Sequence, residues 1–347
     1  MTTRPIAFSA DWHARGSDLE AFDKQLGAMV NQTALAGCEL HCCAGDIFDE
    51  PNIADSRAST GAIVEVITRH VANAPFRWLF IPGNHDVSGA GSVDALTCLD
   101  QFKNVQVVRE PKIIFDSGRR IHCLPWNWSG SVTPYQSLLK LNRQQAFPDQ
   151  NVTALLAHVQ RIGSRMGSRK VCEGGSWAIT DLEIAALRFG HIALGDFHHR
   201  HNGYVGALRQ LNFGEEGNPA GFEIWHPDSG EVKWIELNEA PRYRTVKLYS
   251  KNEPIPEPRP NENLRVQTIG FVPSASEVMA REQSSLPGAL RVDAILQREE
   301  RAARAEVPEG AASDPVALVN LWASTQSPPI EAARVERMVK ALKEIAV

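Results

Sequence analysis

Short apolar runs alternate with helical patterns along the first part of the chain. Three runs have the length of buried strands, at residues 5–10, 40–44 and 76–81. Between the first two runs, apolar residues recur at helical spacing, in a helix that Ser17 or Asp18 can cap and Gly37 ends. A second helical pattern covers residues 55–72. This order predicts a β-α-β-α-β unit in a layered α/β domain.

The following stretch carries strand patterns of a more antiparallel character. Strands are predicted at residues 112–115, 120–124, 154–159, 192–194, 222–225 and 232–237. The turn Asp116-Ser117-Gly118 predicts a hairpin between the first two, and a polar turn around Pro227 predicts one between the last two. Thr180 is expected to cap a helix over residues 181–189.

The composition shifts after residue 250. A proline-rich run over residues 251–263 is typical of an extended linker. Beyond it, strands at 264–269 and 290–296 with a helix at 276–285 predict a small α/β unit. Asp314 and Pro315 form a strong helix start, so we expect C-terminal helices over residues 313–347.

Composition and charge limit the classes of protein that fit. The chain of 347 residues is 43% apolar and 22% charged, which excludes a wholly disordered or fibrous chain. No apolar run reaches the roughly 18 residues of a membrane helix, and no signal peptide is evident, so we expect a cytoplasmic protein. Six cysteines without CxxC spacing indicate buried, reduced thiols. A net charge of −5 argues against broad attraction to nucleic acid, although a local basic patch or bound cations would permit it.

Polar residues with metal-ligating chemistry stand at the ends of the predicted strands. They are Asp11, His13, Asp46, Asn84, His85, His158, Asp196 and His198. Sites in open α/β sheets form beyond the carboxyl ends of strands, so we expect these side chains to converge. A mixed oxygen and nitrogen set suits Mn²⁺, Fe²⁺ or Zn²⁺ better than Mg²⁺. The set is too large for one tetrahedral ion, and a pair of cations about 3.5–4 Å apart would clamp a phosphate and activate water.

Five segments resemble a known family. They are Ser9-Ala-Asp-Trp-His13, Gly45-Asp-Ile-Phe-Asp49, Ile81-Pro-Gly-Asn-His-Asp86, Ile192-Ala-Leu-Gly-Asp-Phe-His198 and Asn212-Phe-Gly-Glu-Glu-Gly217. The order of the first four resembles the calcineurin-like metallophosphoesterase superfamily. Their finer detail and the fifth segment resemble the SbcD family of DNA double-strand-break repair nucleases.

The resemblance implies a fold and a domain organisation. The fold would be a four-layer α/β metallophosphoesterase β-sandwich flanked by helices. Residues 1–250 would form the nuclease domain, and a proline-rich linker would lead to a small α/β capping domain at residues 264–312. Residues 313–347 would be helices that dock the coiled-coil base of an SbcC-type ATPase.

The resemblance also implies roles for the candidate residues. Two divalent ions, Mn²⁺ first and Mg²⁺, Fe²⁺ or Zn²⁺ as alternatives, would share Asp46. The first metal would be held by Asp11, His13, Asp46 and His198, and the second by Asp46, Asn84, His158 and Asp196. His85 would protonate the leaving oxygen, and Asp86 would either orient His85 or serve the turn.

Two features modify this assignment. The family usually has histidine where this chain has Asp196, and a carboxylate there either ligates a harder ion or weakens the second site. A glycine-broken basic loop follows His158 and contains Arg161, Arg165, Arg169 and Lys170. This loop either tracks a phosphate backbone or is a solvated surface loop.

The resemblance implies the nuclease subunit of an SbcCD-like DNA repair and recombination complex. Such an enzyme would cleave DNA as a 3′-to-5′ exonuclease and a single-strand endonuclease. The alternative is a metallophosphoesterase that acts on small phosphomonoesters or on cyclic or linear phosphodiesters. A non-catalytic scaffold is a third hypothesis, disfavoured because the chain keeps nearly all the ligands. A homodimer remains open.

Overall fold

The structure is a computed structural model that describes most of the first 249 residues and short parts of the remainder. The described residues are 4–49, 57–87, 94–126, 132–143, 153–166, 170–175, 177–249, 253, 259, 262–269, 292–297, 319, 335–336 and 339–340. None of the helices in these ranges is long and apolar enough to cross a membrane.

Seventeen strands and four α-helices have defined bounds in the described residues. The strands are β1 (Ile6–Ser9), β2 (Leu40–Cys43), β3 (Arg77–Phe80), β4 (Val105–Val107), β5 (Lys112–Asp116), β6 (Arg119–Leu124), β7 (Thr153–His158), β8 (Gln160–Arg161), β9 (Arg165–Met166), β10 (Lys170–Val171), β11 (Ala178–Ile179), β12 (His191–Gly195), β13 (Gly221–His226), β14 (Glu231–Glu236), β15 (Arg242–Leu248), β16 (Glu262–Ile269) and β17 (Val292–Gln297). The helices are α1 (Leu19–Leu35), α2 (Arg57–Asn73), α3 (Pro134–Arg143) and α4 (Asp181–Leu187).

Two mixed sheets form the body of the fold. The larger has the order β14-β13-β1-β2-β3-β4. Strands β1 to β4 are parallel to one another, β13 pairs antiparallel with β1, and β14 pairs antiparallel with β13. The smaller has the order β12-β7-β6-β5. Strands β15, β16 and β17 form a separate three-stranded sheet in that order.

The predicted antiparallel character of the second stretch is wrong for its central strands. The hairpins β5–β6 and β13–β14 are antiparallel as predicted, but β6, β7 and β12 pair in parallel. Parallel neighbours need a crossover connection. Helices α3 and α4 lie in these connections, and the sequence pattern did not predict α3.

Three apolar clusters separate the layers. On β3, Trp78 and Phe80 point towards α1 and α2, whereas Leu79 points towards the smaller sheet. This alternation is the period of two that a strand imposes on its side chains. The cluster between the sheets joins Phe8 and Leu79 to Ile121. The α/β fold with mixed sheets is therefore layered, with helices on the outer face of the larger sheet.

The outer face of the smaller sheet is covered in the same way. Leu155 of β7 packs in one cluster with Leu138 of α3 and Ile184 of α4. The predicted cap of α4 is confirmed, because Thr180 Oγ1 accepts from the Glu183 amide and the Glu183 carboxylate accepts from the Thr180 amide. The order of layers is helices, sheet, sheet, helices.

The chain divides into two compact units. The first comprises Met1–Val246, Ile255–Val266 and Ala275–Ala294, and the second comprises Lys247–Pro254, Gln267–Ser274 and Ile295–Val347. The predicted helix at 276–285 and most of the predicted linker, capping domain and C-terminal helices lie outside the described residues. Those boundaries stay a prediction, although residues 335–336 and 339–340 are helical.

Candidate metal centre

The loops that leave the parallel strands are joined by hydrogen bonds that main-chain amides donate. The Asp11 amide donates to the Gly45 carbonyl at 3.0 Å, and the His13 amide donates to the Asp46 carbonyl at 3.0 Å. The Asp196 amide donates to Asp11 Oδ1 at 3.0 Å, which joins the carboxyl edges of the two sheets. The convergence expected from strand order therefore occurs.

Backbone strain is concentrated in these loops. The described part of the chain has seven non-glycine residues with positive φ, and four of them are Asp11 (50°), His13 (44°), Asp46 (54°) and Asp196 (101°). Such conformations cost about 1–3 kcal/mol each and persist where the surrounding structure enforces them. The strained backbone at these four residues therefore lowers the stability of the fold while it sets the orientation of their side chains.

The first group of candidate ligands joins the β1 loop to the β12 loop. Asp11, His13 and His198 each place a ligand atom within 4.8 Å of the others. The Nε2 atoms of His13 and His198 lie 3.0 Å apart, and Asp46 Oδ2 lies 3.8 Å from His13 Nε2. The four residues predicted for the first metal are therefore neighbours.

The second group surrounds His158. Its Nε2 atom lies 2.9 Å from Asn84 Oδ1, 3.5 Å from Asp46 Oδ2 and 3.9 Å from Asp196 Oδ1. The structure therefore brings together all four residues predicted for the second metal. Asp46 reaches histidines of both groups with the same carboxylate oxygen.

Two of the three histidines in these groups form a hydrogen bond through Nδ1, and the third has a carboxylate near its Nδ1. His158 Nδ1 donates to the Ala44 carbonyl at 2.7 Å, and His198 Nδ1 donates to Glu215 Oε1 at 2.7 Å. His13 Nδ1 lies 3.2 Å from Asp49 Oδ1. A proton on Nδ1 leaves the Nε2 lone pair free, which is the usual arrangement of a metal-ligating imidazole.

The carboxylates show that the site fits cations. Asp11 Oδ2 and Asp196 Oδ2 are buried and have no hydrogen-bond partner among the described residues. Burial, together with the neighbouring Asp46, raises the pKa of Asp11 and brings the pKa of Asp196 to about 6. Buried oxygens that lack donors are costly unless a cation binds them.

The imidazoles respond to the same excess of negative charge. Burial lowers the pKa of His198, but its bond to Glu215 and the Asp11 charge outweigh burial and raise the pKa to about 9. For His158, Asp46, Asp196 and Asp11 likewise outweigh burial and raise the pKa to about 8. Positive charge is favoured here, and the mixed carboxylate, amide and imidazole donors fit divalent ions such as Mn²⁺.

Glycines make room for this cluster. A Cβ atom at Gly83 would lie 2.6 Å from His158 Cε1 and would also collide with Asp46. A Cβ atom at Gly195 would lie 2.9 Å from His158 Nδ1 and would collide with the Ala44 carbonyl. No side chain larger than glycine therefore fits at Gly83, beside Asn84, or at Gly195, beside Asp196, without displacing the cluster.

His85 lies beside the two groups and is oriented by Asp49. Its amide donates to Asp46 Oδ1 at 2.8 Å, and its Nδ1 donates to the Asp49 carbonyl at 2.5 Å. The His85 ring meets the His13 ring edge-on at 4.8 Å. With Nδ1 engaged, Nε2 is the atom that His85 can present to a substrate.

Asp86 does not orient His85, which corrects one of the two roles considered for it. Its Oδ1 accepts from the amides of Ile47 and Phe48 at 2.9 and 3.1 Å, and its Oδ2 accepts from the Gly83 amide at 2.9 Å. Asp86 therefore joins the β2 loop to the β3 loop. Burial and the nearby Asp46 charge raise the pKa of Asp86 to about 7.

The basic loop after His158 is only partly described. Arg161 Nε pairs with Asp181 Oδ1 at 2.7 Å, and its Nη1 donates to the Asn202 carbonyl. The side chains of Arg165 and Lys170 are exposed, and Arg169 lies outside the described residues. The structure therefore engages Arg161 within the protein and leaves the proposed phosphate contacts of this loop as a prediction.

Two residues of the site were not assigned roles from the sequence. Asp49 contacts His13 through its carboxylate and His85 through its carbonyl. Glu215, which is 8% exposed, contacts His198 from beyond β12. Asp49 stands in the Gly45-Asp-Ile-Phe-Asp49 segment and Glu215 in the Asn212–Gly217 segment, so both belong to segments that carried the resemblance.

Replacing Glu215 with glutamine is expected to weaken Mn²⁺ binding by about 10–100-fold, the usual effect of losing a partner behind a ligand. Glutamine cannot accept from both His198 Nδ1 and the Leu211 amide, as Glu215 does at 2.7 and 2.8 Å. Isothermal titration calorimetry measures the affinity. Glu216→Gln is the matched control, because Glu216 is exposed and accepts from the Thr245 amide rather than from a candidate ligand. Equal affinities for both variants would contradict the role of Glu215.

The layered fold and the His/Asp clusters together define a metal-dependent hydrolase. A family model described as "Calcineurin-like phosphoesterase" matches residues 4–200, more than half of the chain. The chain therefore belongs to the calcineurin-like phosphoesterase family and is a metallophosphoesterase, and a binuclear metal site is typical of that family.

Solved structures with a distant likeness to this chain include a nuclease and a phosphoesterase. The nuclease MPE of Pseudomonas putida is 20% identical, with a TM-score of 0.26, over 45% of this chain and 62% of that chain. The phosphoesterase Yfce of E. coli is 13% identical, with a TM-score of 0.28, over 67% of this chain and 100% of that chain. A comparison with curated proteins gives no match.

Proposed function

We propose that this metallophosphoesterase is a two-metal DNA nuclease that hydrolyses phosphodiester bonds. In this proposal it is the nuclease subunit of an SbcCD-like repair complex, with 3′-to-5′ exonuclease and single-strand endonuclease activity. The observation that carries the proposal is the contact of Glu215 with His198. Glu215 lies in the Asn212–Gly217 segment, outside the family match at residues 4–200, and that segment resembles SbcD nucleases.

The proposed ligands divide between two cations. Asp11, His13 and His198 would hold the first, Asn84, His158 and Asp196 would hold the second, and Asp46 would be shared. Two cations bound there would activate a water and neutralise charge on the phosphate. The protein's own part is to hold the imidazole Nε2 atoms and carboxylate oxygens in place through Ala44, Asp49 and Glu215.

His85 would supply the proton for the leaving oxygen. Its Nδ1 is engaged by the Asp49 carbonyl, so its Nε2 can donate towards the cluster. A deoxyribose oxygen is a poor leaving group, and a positioned general acid lowers the barrier to its departure. This arrangement supports cleavage of phosphodiesters with unactivated leaving groups, as in DNA.

The activity is tested on DNA and on small esters in parallel, with Mn²⁺ present. We expect cleavage of labelled duplex, hairpin and single-stranded DNA in addition to turnover of bis-p-nitrophenyl phosphate. End-labelled strands report the polarity of cleavage, because 3′-to-5′ digestion shortens a 5′-labelled strand progressively. Untouched DNA with active turnover of small esters would overturn the nuclease proposal.

The second candidate function is hydrolysis of small phosphomonoesters or phosphodiesters. One observation favours it, since Arg161, predicted to contact a phosphate backbone, is engaged by Asp181 and the Asn202 carbonyl. The same parallel assay decides between the two functions.

The proposed partners are DNA and an SbcC-type coiled-coil ATPase, docked through residues 313–347. The helical residues 335–336 and 339–340 support a helix in this segment. Co-expression with a coiled-coil ATPase from the same genome should yield a co-purifying complex that a chain ending at residue 312 does not form. A complex formed equally well by the shortened chain would contradict docking through this segment.

A further inference from the structure

Two arginines and two aromatic rings form a row that leads away from the metal centre. The row consists of Arg15, Tyr243, Phe213 and Arg265, all half-buried and all within the first compact unit. We propose that this arginine–aromatic row binds the backbone of a single-stranded polynucleotide, an inference that rests on the nuclease function proposed above. It names the part of the surface that a polymeric substrate would use and that a small phosphate ester would not need.

The near end of the row is joined to the metal centre by consecutive hydrogen bonds. Glu215 Oε1 accepts a hydrogen bond from His198 Nδ1, and Glu215 Oε2 accepts one from the Leu211 amide at 2.8 Å. The Leu211 carbonyl accepts from Arg15 Nη2 at 3.2 Å and from the Tyr243 hydroxyl at 2.9 Å. Arg15, two residues after His13 in the chain, therefore contacts the Leu211–Glu215 segment, which also bonds His198.

The far end of the row places a second guanidinium on an aromatic face. The rings of Tyr243 and Phe213 meet edge-on, with centroids 4.9 Å apart and an angle of 82° between them. Arg265 Cζ lies 3.8 Å from the centroid of Phe213. This contact is within the range of a cation–π interaction, which holds the Arg265 guanidinium against the Phe213 ring.

Arg15 carries positive charge that its neighbours only partly neutralise. Its Nε lies 3.2 Å from Asp18 Oδ2, and the buried Arg209 pairs with the same oxygen. One carboxylate thus serves two guanidinium groups. Because Arg209 is 1% exposed, Arg15 is the member of this pair that an anion can approach.

The positive charge of Arg265 is neutralised even less by neighbouring carboxylates. Within the described residues no carboxylate lies within ion-pair distance of it, and its Nε is buried without a hydrogen-bond partner. Arg244, on the neighbouring strand, shows the contrasting case, because Glu262 binds its Nε at 2.7 Å and its Nη2 at 2.8 Å. The row therefore has a partly neutralised guanidinium group at its Arg15 end and a guanidinium group without a carboxylate partner among the described residues at its Arg265 end.

Two separated cations with aromatic rings between them match a strand of nucleic acid. Successive phosphates supply anions that guanidinium groups bind with charge-assisted hydrogen bonds. Unstacked bases can lie on aromatic rings or guanidinium planes, which favours a single strand over a duplex. Since the whole chain has a net charge of −5, binding must depend on such local contacts rather than on long-range attraction.

Fluorescence anisotropy measures how tightly the protein binds a labelled thymidine strand of about ten nucleotides. The assay contains Ca²⁺, and a gel verifies that the strand stays intact. Arg265→Ala is expected to weaken binding about tenfold. The slope of log affinity against log salt should become shallower by about 0.7, the share of one phosphate contact on a single strand. Arg69→Ala is the control, because Arg69 is paired with Asp23 between α1 and α2, and both quantities should stay at their wild-type values.

The outcomes separate this inference from the proposed nuclease function. If the wild-type protein binds no strand, the inference is overturned, whereas the nuclease function is decided by the separate cleavage assay on duplex, hairpin and single-stranded DNA. If the wild type binds and Arg265→Ala keeps the wild-type salt slope, the row has only a packing role and the inference is overturned. Arg265→Lys keeps the charge, so it should retain the slope while losing part of the affinity. If Arg265→Ala unfolds, Arg265→Gln must show the same shallower slope.

Discussion

Asp46→Ala is expected to remove metal binding and to slow phosphodiester cleavage by at least about 10³-fold. The Asp46 carboxylate is buried, and its Oδ2 lies 3.8 Å from His13 Nε2 and 3.5 Å from His158 Nε2. It is therefore the acidic group that both sets of candidate ligands share. Losing it should exceed the roughly 10–100-fold effect of losing a residue behind a ligand.

Metal content per chain and cleavage rate are the two measurements for Asp46→Ala. Elemental analysis after dialysis gives the first, and the DNA assay with Mn²⁺ gives the second. Asp100→Ala is the control, because Asp100 is a partly exposed aspartate whose carboxylate pairs with Arg109. An Asp46→Ala protein that retains two metal ions per chain would show that the shared ligand lies elsewhere.

His85→Ala is expected to lower the rate of DNA cleavage by about 10²–10⁴-fold while metal content stays at the wild-type level. This range is the usual contribution of a positioned general acid. His85 Nδ1 is engaged by the Asp49 carbonyl, so the imidazole can deliver a proton through Nε2. The same elemental analysis shows whether the metal stays bound.

A comparison of leaving groups separates a general acid from a metal ligand at this position. His85 also lies within 4.8 Å of ligand atoms of His13 and Asp49, so a ligand role is the specific rival. The p-nitrophenolate leaving group is a weak base that needs little protonation. His85→Ala should therefore slow bis-p-nitrophenyl phosphate turnover much less than DNA cleavage. Equal losses on both substrates, or a loss of metal, would falsify the acid role.

The sequence pattern predicted the strands of the larger sheet and their connecting helices closely. The apolar run at residues 40–44 became β2 (Leu40–Cys43), and the helical pattern at 55–72 became α2 (Arg57–Asn73). These elements follow from period and length, which are local properties of the chain. The pairing of β6, β7 and β12 was not predictable in this way, because direction depends on the path of α3 and α4.

The candidate ligands were predictable for a related reason. Parallel strands end at one edge, so residues that follow them converge, and the structure brings Asp11, Asp46, Asn84 and His158 together. The groups that hold the imidazoles were not predictable. Spacing placed Asp86 next to His85, yet the structure uses Asp86 to join two loops and gives the contact with His85 to the Asp49 carbonyl.

The sequence by itself determined the class of fold and the set of side chains that gather at the carboxyl edges. Both depend on short-range periodicity and on the order of residues that follow strands. Only the tertiary structure decided which atoms meet, such as Glu215 with His198, or Arg265 with Phe213. Hydrogen bonds and ring contacts act over a few ångströms, so residues far apart in the chain become partners only when packing of the layers sets their positions.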